Sequence, residues 1–206
     1  MQAITDLIMY FHKGGLVMWP LLACSVTVIA IAIERFIYYK SVDSGAAFAA
    51  RYCTAVRSGD FAVATELARK GSGQCAQMLA DAAAIDGGKA EKSAFLESRA
   101  GIFMATLRDK LDYLGIIVTM SPLLGLLGTI VGMIGAFSIF NVEAGAPMAI
   151  TGGIGEALIA TATGLCVAIL SLCAHSYFAH RMDNMITDME QCFSALLEAE
   201  TRRARA

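Results

Sequence analysis

Glu156 is the only Asp, Glu, Lys or Arg between residues 144 and 180 of the 206-residue chain, set in "TGGIGEALIATATGLCVAI" (residues 151–169). Three hydroxyls accompany it: Thr129 in "SPLLGLLGTIVGMIGAF", and Thr161 and Thr163 a few residues beyond the acid. A carboxyl takes up and releases a proton, and a threonine hydroxyl both donates and accepts a hydrogen bond. These are the groups with which an apolar environment can pass a cation. An acid at the centre of a membrane helix costs about 2.5–3.5 kcal/mol, so it is kept only beside a water-filled path or a partner. A protonated Glu156 bracing two helices is the structural alternative. For each Thr the alternative is a bond to the carbonyl four residues back in its own helix.

Spacing divides the group. At about 100° per residue, Thr163 lies on nearly the same helix face as Glu156, whereas Thr161 is about 140° away. If the two stretches form antiparallel helices joined by a short loop, Thr129 and Thr161 each lie about 16–20 Å from that loop and Glu156 about 12 Å. The hydroxyls are then near mid-membrane, and the acid and Thr129 and Thr161 can form a polar track between two helices. Glu156 and Thr161 are expected to face different neighbours.

The elements that must hold these residues are membrane helices. Residues are 57% hydrophobic and mean hydropathy is +0.61, above the roughly half-apolar composition of a soluble domain. Residues 16–33, 113–142 and 157–180 contain no Asp, Glu, Lys or Arg, and about 20 apolar residues cross a bilayer. The expected fold is all-α, with transmembrane helices at 16–38, 113–140 and 148–180. A soluble bundle is excluded, because too little polar chain is left to cover three such helices. The first span is expected to be retained: "MQAITDLIMYFHKGG" lacks the basic start of a secretory signal. Within residues 1–15, Ile4, Leu7, Ile8 and Phe11 recur at helical spacing, as in an amphipathic segment on the membrane surface.

Cationic residues set the orientation. Of 16 Lys and Arg, 11 lie between the first two spans, none between the second and third, and four after the third. The expected topology has the N-terminus outside, an outer loop at 141–147, and residues 39–112 and 181–206 in the cytoplasm. In the cytoplasmic connection a helix ends at Gly59, Asp60 caps the next, and Gly71 stops it. From Lys92 to Phe140 a nearly continuous helix is expected, since no breaker precedes Pro122. The tail is expected to continue span 3 and to pack through Met182, Met185, Ile186, Met189, Phe193 and Leu196.

Small residues line both later spans. Gly125, Gly128, Gly132, Gly135 and Ala136 recur at three- and four-residue spacing, as do Gly153, Ala157, Ala160, Gly164 and Ala168. Such stripes let helix backbones approach closely. The six cysteines have no metal-ligand spacing and are expected to be free thiols acting as small hydrophobes. No metal, cofactor or nucleic acid is expected, and no paired carboxylates, His cluster or Ser–His pair indicates an enzyme.

These residues resemble a known family. "GGLVMWPLLACSVTVIAIAIERF", "LGLLGTIVGMIGAF" and "GIGEALIATATGLCVAI" are similar, in order, to the MotA/TolQ/ExbB proton-channel family, and the three-span layout is closest to ExbB and TolQ. The resemblance implies a bacterial inner-membrane complex. In it, five copies surround a dimer of a single-span ExbD- or TolR-like partner, whose Asp is protonated and released as protons pass inward. The motion energises a TonB- or TolA-like protein that spans the periplasm. The resemblance assigns Thr129, Glu156 and Thr161 to the ion pathway; Thr163 has only the helical-face argument. In one place the chain departs from the pattern. It reads "AIL" where the family usually has "AIP", so Leu170 replaces a kinking Pro and the carbonyl of Cys166 regains a donor.

Overall fold

The computed structural model describes residues 14–142 and 147–203; the expected surface segment at residues 1–13 and most of the 141–147 loop lie outside them. The described residues form seven helices: α1 Met18–Val42, α2 Ala46–Arg57, α3 Phe61–Lys70, α4 Gln74–Ala83, α5 Lys89–Arg108, α6 Leu111–Val142 and α7 Pro147–Arg203. No strand occurs among them. Three of the helices, α1, α6 and α7, carry stretches long and apolar enough to cross a membrane. Two compact units result. One contains residues up to Ile33 with Asp112–Ser176; the other contains Glu34–Leu111 with the chain from Tyr177 onward.

In the first unit α6 packs in two ways. Near its start Leu114 and Ile117 are buried; from Ser121 onward the buried positions described are Ser121, Gly125, Gly128 and Ala136. The large side chains of that later stretch, among them Leu123, Leu126, Ile130, Ile134 and Phe137, are exposed. Lipid solvates leucine as well as a protein core does, so helices associate there through close backbone approach instead. The first turns of α1 join this pair: Val17, Met18 and Leu21 are buried against one another with Leu124 beside them.

The second unit is built conventionally, with apolar side chains inside. α2, α3, α4 and α5 pack in succession. Gly59, at φ 82°, lets the chain reverse between α2 and α3. Asp60 then caps α3, its carboxylate accepting from the Val63 amide at 3.2 Å. We expect Asp60→Ala to cost about 1 kcal/mol, seen as a lower unfolding midpoint with faster amide exchange at Val63. Unchanged exchange there would show that the cap is idle.

α7 contributes Met182, Met185, Met189, Phe193 and Leu196 to this core, all buried, and Cys192 beside them. Cys192 approaches Cys53, with 4.0 Å between sulfurs. Burial pushes the Cys53 thiol up to about 11, and a hydrogen bond to Cys75, with burial, raises Cys192 further. Both therefore stay as neutral thiols, packed as small apolar groups. A buried ion pair, Lys92 with Glu200 at 2.9 Å, and another between Arg181 and Asp43 at 3.0 Å tie α7 to α5 and to the end of α1.

The helix expected to be nearly continuous from Lys92 to Phe140 is interrupted once. It lapses for two residues, Asp109 and Lys110, between α5 and α6. Side chains from α1 cap the carbonyls at this point. Arg35 donates to the carbonyls of Thr106 at 3.0 Å and Leu107 at 3.4 Å, and the Tyr39 hydroxyl donates to Leu107 at 2.9 Å. Those carbonyls would otherwise accept from the next turn of a continuous helix. α7, by contrast, runs unbroken past Leu170, which is exposed on its surface.

Candidate ion-path site in the membrane unit

The site rests on an antiparallel pair. Pairs of residues that touch rise in number along α6 as they fall along α7. Ser171 donates to the Leu114 carbonyl at 2.9 Å, and Thr161 donates to the Gly125 carbonyl at 2.9 Å. Between and beyond these bonds the two backbones meet through glycine and alanine. A Cβ on Gly164 would stand 2.6 Å from the Ser121 carbonyl oxygen and 3.0 Å from the Gly125 Cα. One on Gly128 would stand 2.5 Å from the Ala160 Cβ, and one on Gly132 would stand 3.0 Å from the Ala157 Cβ. A Cβ on Gly153 would meet that of Ala136 at 2.6 Å. Ala168 is buried on the same helix. Gly135 differs, because a Cβ there would meet nothing within 4 Å.

The four polar residues have separate surroundings. Thr161 sends its hydroxyl across to α6, as above. Thr129 donates to its own helix, to Leu126 at 2.6 Å, and Thr163 likewise to Ile159 at 2.8 Å. Glu156 is partly buried, and its carboxylate lies against Gly15, just before α1. The structure thus brings Thr161 to Gly125 and Glu156 to Gly15, and it does not gather the four into one cluster. Each threonine oxygen that donates keeps lone pairs with which to accept, so these hydroxyls remain competent stations for a proton or a water.

Two buried serines escaped the reading of the sequence. Ser171 carries a cross-helix bond, and Ser121 is fully buried with no partner for its hydroxyl among the described residues. Their placement was available as a signal: Ser121 lies four residues before Gly125 and Ser171 seven after Gly164, each extending a stripe of small residues by one or two turns. Pro122, next to Ser121, deprives the Val118 carbonyl of its helical donor, so polar backbone and side chain are both underused at this level. Gly15 was also missed, since nothing in its sequence neighbourhood points to a residue 141 positions away. Among the described residues no group of three or more His, Cys, Asp or Glu could hold a metal ion.

Comparison with known proteins gives this arrangement a family. Residues 68–191 match the model of the MotA/TolQ/ExbB proton channel family, a segment that includes α5, α6 and most of α7. The chain is 32% identical over 164 residues to the ExbB-like 3 protein of Synechocystis, covering 77% of this chain and 78% of the relative. It is 26% identical over 204 residues to the biopolymer transport protein exbB1 of Vibrio cholerae, covering 93% and 89% respectively. A shorter match, 36% over 81 residues, links it to the Tol-Pal system protein TolQ of Pseudomonas aeruginosa, covering 39% of this chain and 35% of that one. With three helices apolar enough to span a bilayer, and a match that takes in the hydroxyl- and acid-bearing pair, the chain belongs to the MotA/TolQ/ExbB proton channel family and is closest in kind to ExbB and TolQ.

Proposed function

We propose that this chain is the ring-forming subunit of a proton-driven motor in a bacterial inner membrane. Five copies enclose a dimer of a single-span ExbD- or TolR-like protein, and proton flow through the complex energises a TonB- or TolA-like protein that reaches across the periplasm. The N-terminus faces the periplasm and the C-terminus the cytoplasm, as the distribution of Lys and Arg favours. Thr129, Glu156 and Thr161 guide the proton, with Thr163 a lesser contributor. The observation that carries this reading is that Glu156 is the only ionisable carboxylate of α7 before Asp183. One acid in an apolar helix pair cannot complete a proton cycle, so the partner supplies the second titrating group. The available drive is adequate: one charge crossing 100 mV releases about 2.3 kcal/mol.

A scaffold that only stabilises its partner is the second reading, favoured by the Thr161–Gly125 bond, which is a brace as well as a station. Proton uptake by liposomes under an imposed potential separates the two. The chain alone should not conduct, and the chain with its partner should. Glu156→Ala and Thr161→Val should each lower uptake about tenfold with the partner still present in normal amount, an effect on the order of 1.4 kcal/mol on the path. Thr163→Val should change uptake less than about twofold, because only its helical face links it to Glu156. Normal uptake in both Glu156→Ala and Thr161→Val, with less partner recovered, would leave only the scaffold.

A further inference from the structure

We propose that Gly15 is a positioning residue for Glu156: its missing side chain leaves the space in which the carboxylate docks on the turn that opens α1. The inference rests on the reading of Glu156 as part of the proton path.

Four described glycines have positive φ, and they divide by what surrounds them. Gly45 at 81° and Gly59 at 82° have nothing within 4 Å of a built Cβ, so the backbone angle alone explains them. Gly73, at 89°, is crowded by Ser44 and by the Val42 carbonyl, and Gly15, at 71°, by a carboxylate. A Cβ there would overlap the Glu156 carboxylate oxygen and lie 3.1 Å from its Cδ and 3.5 Å from its Cγ. Gly14 shows how unusual this is. Its Cβ would meet the Met18 side chain, at 2.5 Å from Cγ, and a flexible thioether can turn aside.

The turn is suited to a carboxylate. Met18 donates its amide to Gly15 and Trp19 donates to Leu16, at 3.2 Å and 3.3 Å, so helical bonding begins here. The amino-terminal end of a helix carries partial positive charge and favours an anion. The turn is also fixed in place: Val17 and Met18 are buried, and the Val17 Cβ stands 3.7 Å from where a Cβ of Gly128 would be. Three helices therefore meet at this point. α6 holds the turn, the turn holds the acid, and α7 supplies the acid. Any side chain at residue 15 displaces Glu156 without altering it chemically.

The test compares variants of the full chain, reconstituted with its partner, by proton uptake. Gly45→Ala carries the cost of a positive φ without an obstruction, and its uptake should stay within about twofold of the parent. Gly15→Ala should lower uptake about tenfold at equal complex content. Adding Glu156→Asp to Gly15→Ala should restore uptake to within about threefold, because the shorter side chain withdraws its oxygens by roughly one bond length, about 1.5 Å. If Gly15→Ala conducts normally while Glu156→Ala does not, the seat is wrong and the proton path stands. If Glu156→Ala also conducts normally, both are wrong. An impaired Gly15→Ala that Glu156→Asp leaves unrelieved also overturns the seat. Should Gly15→Ala fail to accumulate, proximity decides. Gly15→Cys with Glu156→Cys, in a chain whose own six cysteines are replaced, should lose two thiols and form a disulfide under copper phenanthroline, the oxidant taking up the two electrons. No bridge would dismiss the seat.

Discussion

Gly164→Ala is expected to destabilise the α6–α7 pair by about 3 kcal/mol, while Gly135→Ala is expected to be neutral or to stabilise by up to about 1 kcal/mol. Both changes add the same methyl group to a helical glycine in an apolar span. Composition, hydropathy and helix propensity therefore assign them the same sign, and only their neighbours differ. The methyl at residue 164 would stand 2.6 Å from the Ser121 carbonyl oxygen and 3.2 Å from the Gly125 nitrogen. These are backbone atoms of α6 and have no rotamer by which to retreat. The helices must part, and the Thr161–Gly125 bond one turn away lengthens with them. At residue 135 the methyl meets open space and contributes only the preference of alanine over glycine for helix. Thermal midpoints of the purified protein in detergent measure both. Equal midpoints for the two variants would show that α6 and α7 do not touch at Ser121. A parallel loss of proton uptake in Gly164→Ala is expected, since Thr161 is positioned by the same contact.

Replacing Arg35 by Met should cost about 3 kcal/mol. Arg35 is 4% exposed, and its guanidinium is used on every side. It caps Thr106 and Leu107 at the end of α5, pairs with Glu34 at 2.8 Å, and lies over the Tyr38 ring, 4.9 Å from its centroid. Methionine conserves the apolar stem and removes only the fork of donors. The Thr106 carbonyl then loses its cap, and Glu34 keeps only Lys110, at 3.2 Å. Arg35→Lys should recover little, because an ammonium cannot serve a carboxylate and two carbonyls in one plane. The direct measurement is amide exchange across residues 106–112, expected to rise by about tenfold or more in the Met variant. Unchanged exchange would mean that α5 ends for reasons internal to its own sequence.

How much of this molecule could be read without coordinates follows from the range of the forces involved. The three spans, the cap at Asp60 and the stripes of small residues are decided by near neighbours along the chain. Hydropathy over 20 residues needs no knowledge of what lies opposite, and neither does a carboxylate three residues before an amide. The placement of Thr161 and Glu156 on different sides of α7 was likewise legible, because 100° per residue is a property of every α-helix. The partners of those faces were not. A threonine is equally able to bond back to its own helix or across to another, and Thr163 and Thr161 do one each. The lapse at Asp109 and Lys110 was invisible for the same reason. Residues 92–140 favour a continuous helix, and the carbonyls at the break are capped by Arg35 and Tyr39, about 70 residues earlier in the chain. By itself the sequence determined that this protein is a three-span helical membrane protein carrying one acid among hydroxyls, because burial of apolar surface and helix periodicity are local and additive. Only the tertiary structure decided that the acid docks on Gly15 and that Thr161 reaches Gly125. Contacts between groups far apart in the chain depend on backbone approach at the scale of a single methyl group, and no local pattern encodes that distance.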